Sequence, residues 1–90
     1  MASDFESLRA KSQKALLDFL SAELQLGATF VHSAKLAEND EHTEHYLQAK
    51  HAAEKASESL HKFISHVHDD RERAEIEHGL AELDRRISVL

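Results

Sequence analysis

The chain has no proline, no cysteine and no tryptophan, and only two glycines, Gly27 and Gly79, in 90 residues. Each shortage removes a class of architecture. Without proline, and with so little glycine, the sequence lacks the punctuation that strands and β-turns require. Without cysteine it has no disulfide framework and no thiolate site, which fits a reducing compartment such as the cytoplasm. Aromatics are 6% of the chain, and thirteen of its apolar residues are alanine. The core is therefore thin and suited to helices in close approach. No stretch nears the roughly 18 consecutive apolar residues of a membrane span. The opening Met1-Ala2-Ser3-Asp4 has neither the basic nor the apolar region of a secretory signal. No membrane partner is expected.

Charge removes a further class. The net charge is −6, with 11 Lys and Arg scattered among 17 Asp and Glu. A duplex-binding surface needs a basic stripe, but Arg71, Arg73, Arg85 and Arg86 are interleaved with acidic residues. Nucleic acid is not an expected partner.

What is abundant is Ala, Leu, Glu, Lys and Arg, all strong helix formers. The first helix opens with Ser3 and Glu6 at capping-box spacing. Phe5, Leu8, Ala15, Phe19, Ala22 and Leu26 then recur at helical intervals, and a second row, Leu16, Leu20, Leu24, Phe30, Val31, Ala34 and Ala37, runs beside them. Two adjacent rows make a stripe wide enough for more than one neighbour. Gly27 lies within this helix and costs about 1 kcal/mol against alanine, so the helix is either bent there or closely crossed by another.

The first break is Glu38-Asn39-Asp40-Glu41, where Asn39 and Asp40 are good N-caps. From there Tyr46, Ala49, Ala53, Ala56, Leu60, Phe63 and Val67 alternate spacings of three and four without an error. Extending that seam predicts apolar residues where Asp70, Glu77 and Asp84 stand; the actual apolar row, Ile76, Leu80, Leu83, Ile87 and Leu90, is out of phase. A turn at His68-Asp69-Asp70, with Asp69 and Glu72 at capping spacing, follows. The expected fold is a single all-α domain over 1–90. It is a three-helix up-down-up antiparallel bundle with helices at about 4–38, 40–67 and 70–89. The first helix exceeds its partners by several turns, which leaves Phe5 and Leu8 without an intramolecular partner.

The stretch from Leu24 to Phe63 resembles a tetratricopeptide-like helical hairpin with lengthened helices. Leu26-Gly27 followed by Phe30 matches that repeat's first-helix signature, and Ala49, Ala53 and Ala56 its small-residue row. No second copy follows, and the terminal proline is absent. The hairpin with its short third helix is also similar to microtubule-interacting-and-trafficking domains and to short uncharacterised bacterial helical proteins. These resemblances imply peptide or protein binding in a groove between helices.

Eight histidines are the compositional oddity. His42 and His45, with Glu38 and Glu41 nearby, are the candidate metal ligands, since imidazoles and carboxylates on one face can hold Zn²⁺. Their spacing of three departs from the spacing of four in helical zinc motifs. The seam projected backward instead makes them a partly buried pair at the bundle's end. His66-Val67-His68-Asp69-Asp70 has the look of a metallohydrolase motif, but helix-end imidazoles and capping aspartates account for it. His51 lies opposite the seam, as a phosphotransfer histidine would, yet without that motif's spacing or glycine. His32, His61 and His78 read as surface residues. Protonating all eight moves the formal charge from −6 by eight units to +2, and no pH switch is expected.

No nucleophile elbow or phosphate-binding glycine loop is present, so no enzyme and no cofactor is expected. The reading that remains is a helical protein–protein interaction module, self-associating through Phe5, Leu8, Phe19 and Leu26. The alternative is a metal-binding or metal-sensing bundle using His42, His45 and nearby carboxylates.

Overall fold

The structure, a computed structural model, describes residues 3–90, with side chains described from Ser7 onward. Helix α1 spans Ser3–Asn39, α2 Thr43–Phe63 and α3 Asp70–Ser88, and a 3-10 turn at Ile64–His66 follows α2. The described residues contain no strand. The helices form an up-down-up bundle about α1, 61 × 18 × 15 Å in extent. The Ser3–Glu6 box and the Phe5 side chain lie outside the described side chains.

The second apolar row of α1 makes the core. Leu20, Val31 and Ala34 are fully buried, with Leu16, Leu24 and Phe30 half-buried beside them. Ala53, Ala56 and Leu60 of α2 face this row, as the regular seam predicts, and α3 closes the core with Ile76, Leu80 and Leu83. Thin alanine faces let α1 and α2 approach closely along their shared length.

Helix α1 runs unbroken through Gly27, and α3 crosses it there. A Cβ on Gly27 would lie 2.7 Å from Leu83 Cδ2, and one on Gly79 would lie 3.0 Å from Leu24 Cδ1. Each helix sets a leucine into the other's glycine notch. The two glycines of the chain are thus spent on one crossing.

Both turns differ from the expected boundaries. Asn39 and Asp40 do not cap α2; α1 continues through Asn39, and Glu41 takes a left-handed φ of 61°. The His42 amide returns to the Ala37 carbonyl at 2.8 Å and that of Glu41 to Glu38 at 3.2 Å, a Schellman ending for α1. Helix α2 therefore starts at Thr43, with His42 as an N-cap that makes no side-chain capping bond. At the other end α2 stops at Phe63, four residues before the expected Val67. Val67 is extended, with φ −76° and ψ 120°, yet 1% exposed. The periodicity reported its burial and missed its backbone. The cap on α3 stands as read: the Glu72 amide donates to Asp69 Oδ1 at 2.9 Å.

Gln13 fixes where the bundle ends. Its amide nitrogen donates to the His66 carbonyl at 3.1 Å, and its amide oxygen accepts from the His68 amide at 3.0 Å. This clamp ties the α2–α3 turn to α1. Every residue on the N-terminal side of it whose side chain is described, Ser7 to Ser12, is exposed. Helix α1 overhangs the bundle, as its length requires.

Candidate functional site

The first apolar row of α1 is the site that the fold leaves uncovered. Leu8 is 63% exposed, Phe19 42% and Leu26 47%. Ala15 and Ala22, between them, are also exposed. Leu36, 51% exposed, falls on the same line. Leu8, Ala15, Ala22, Thr29 and Leu36 are each seven apart, and so are Ser12, Phe19, Leu26 and Ser33. Together these positions form one a/d heptad seam, the pattern that packs against another helix in a left-handed supercoil. Of six large apolar side chains exposed among the described residues, four lie on it; Leu47 and Val89 stand apart.

The seam's other neighbours are set by the bundle. Phe19 packs edge-on against Phe63, with ring centroids 5.9 Å apart, so it is partly covered from the α2 side. Arg9 and Glu23 flank the seam on that side, Lys11 and Asp18 on the other. Asp18 is joined to Lys14 one turn earlier at 3.2 Å, a highly exposed pair whose contribution to folding is small. Phe5 belongs to the same row by spacing and lies outside the described side chains.

The histidine candidates lie elsewhere. All eight histidines are exposed, including His42 and His45, which corrects the expectation that this pair is partly buried. The physical reason is the late start of α2: with the chain still turning at Glu41, the first seam residue to reach the bundle is Tyr46. The His42 and His45 rings stand edge-to-face, centroids 6.3 Å apart. Glu38 and Glu41 line one open depression, of about 440 Å³, with Ala37, Thr43 and Tyr46. His45 lines another, with Phe30, Ser33, Gln48 and Ala49. Among the described residues no three His, Asp or Glu side chains are grouped to hold one metal ion. In the second cluster Asp69 caps α3, and Asp70 pairs with Arg73 at 2.6 Å.

One polar constellation escaped the sequence reading. The Ser57 hydroxyl donates to Asp84 Oδ1, and His61 Nε2 lies 2.6 Å from Asp84 Oδ2. The carboxylate sits between the hydroxyl and the imidazole, so the serine meets no imidazole and the order is not that of a Ser-His-Asp triad. It clamps α2 to α3. Its signal was present: Ser57 and His61 are one helical turn apart beside the seam, and Asp84 stands where the extended seam fails. A further electrostatic effect is also remote from α1: a hydrogen bond from Arg85 holds the exposed Glu82 carboxyl below its usual range.

Comparison with protein-family models, curated proteins and solved structures found no match to this chain. Among the described residues, no helix is long and apolar enough to cross a membrane.

Proposed function

We propose that this chain is a non-enzymatic helical interaction module that associates with a second copy of itself through the exposed seam of α1. One observation carries the reading: Leu8, Phe19, Leu26 and Leu36 are exposed and share a single heptad line. Scattered exposed leucines are ordinary on a protein surface, but an aligned row is the kind of patch that marks an interface. Its period selects a helix as the occupant, and the resemblance to helical-hairpin binding domains points the same way.

Sedimentation over a concentration series tests the reading. The wild-type chain is expected to show a reversible dimer, and a variant carrying Leu8→Gln and Ala15→Gln to remain monomeric with unchanged helicity. A wild-type chain that stays monomeric throughout, or a double variant that dimerises equally well, contradicts it.

A further inference from the structure

Building on that reading, we infer that two copies pair their α1 helices antiparallel, each overhanging end lying along the exposed seam of the other. Shape and charge lead to this register independently.

The shape argument starts from the Gln13 clamp. The α2–α3 turn reaches α1 at Gln13, and residues 3–12 extend beyond it. A two-fold axis placed between Gln13 and Lys14 sends the two bundles off in opposite directions, where they do not collide. The same axis lays residues 3–12 of one copy beside residues 15–24 of the other. In antiparallel seams an a position faces a d position. Here Leu8 of one copy meets Phe19 of the second, and Ser12 meets Ala15. The most exposed leucine on the seam is thus matched with its only described aromatic ring.

The charge argument uses the flanks. Antiparallel pairing brings each flank against the same flank of the other helix. In this register Lys11 lies beside Asp18 of the second copy, and by symmetry Asp18 beside the second Lys11. Arg9 comes within a long side chain's reach of Glu23 on the other flank. The network would extend the Lys14–Asp18 pair already present within one chain. Sliding the helices by one heptad sets Asp18 against its own counterpart. Parallel, in-register pairing sets Asp18 beside Glu23. Both alternatives bring like charges together, and like-charge juxtaposition selects against a wrong register.

The overlap is about six helical turns, which places the dimer in the weak class. The test uses the chain's lack of cysteine. Thr29→Cys puts a single spin label on the seam, outside the proposed overlap. Dipolar measurement at about 0.5 mM chain, where a weak dimer is populated, should give a distance of about 45 Å. A parallel dimer gives less than about 20 Å. A short distance overturns the antiparallel arrangement and leaves self-association standing; no dipolar coupling, together with a monomer in sedimentation, overturns both. A charge swap checks the register. Lys11→Glu and Asp18→Lys are each expected to weaken association roughly tenfold. Mixing the two variants should restore it, and a mixture as weak as its components contradicts the register.

Discussion

Phe19 and Leu20 are neighbours in sequence and belong to two apolar rows of one helix with different surroundings. Leu20 is 0% exposed, enclosed by α2 and α3, and Phe19 is 42% exposed with only Phe63 against one side. Both rows have helical periodicity, and both would bury area if a neighbour were available. The difference lies in supply. Helices α2 and α3 cover two sectors of α1, and the described residues hold no fourth helix for the remaining one. One row is therefore a matter of stability and the other is the row we propose for association, a division that mutagenesis can break or sharpen.

The largest effect should come from the enclosed row. Leu20→Ala is expected to cost about 2–5 kcal/mol in urea denaturation, since its cavity opens among fixed neighbours. A cost as small as that of a surface substitution would show the two rows to be equivalent. Next come the alanines facing that row. Ala53→Leu and Ala56→Leu each raise hydrophobicity and helix propensity but overpack a close crossing. Each should lose about 1–3 kcal/mol, read as a lower melting temperature. Both variants melting above the parent would mean that α1 and α2 are not in close contact at these points.

The glycine notches give a finer contrast. Alanine in a helix gains about 1 kcal/mol over glycine. At Gly79 the half-buried Leu24 can yield a few tenths of an ångström, so Gly79→Ala should stabilise. At Gly27 the contact is 2.7 Å from a leucine only 3% exposed, and Gly27→Ala should destabilise by about 1 kcal/mol. Equal effects at both sites, measured by thermal melts, would contradict the crossing geometry. The smallest effect belongs to the exposed row: Leu26→Gln should change monomer stability by no more than about 0.5 kcal/mol. A larger loss would place Leu26 in the core.

Much of this division could be read from residues alone. The three-helix fold followed from the error-free seam of α2 and its phase break before Ile76, and the Asp69 cap from a three-residue spacing. The width of the α1 stripe showed that it needs several neighbours, but width does not say which sector goes uncovered. That depends on where α3 crosses, which Gly27 marked without naming the helix that uses it. The first turn was misplaced because Asn39 and Asp40 have good capping side chains, and backbone return bonds ended α1 instead, with Glu41 in a conformation usual for glycine. The Ser57–Asp84–His61 clamp was missed because it joins two helices whose relative rotation no local pattern sets.

The most direct test of the division follows methyl resonances of the wild-type chain on dilution by nuclear magnetic resonance. Leu8 and Ala15 lie on the proposed interface, and Leu47 and Val89 are equally exposed but off the seam. The account predicts concentration-dependent shifts at Leu8 and Ala15, with Leu47, Val89 and the enclosed Leu60 and Leu80 unmoved. Shifts at Leu47 and Val89 instead, or spectra that do not change with concentration, would contradict it.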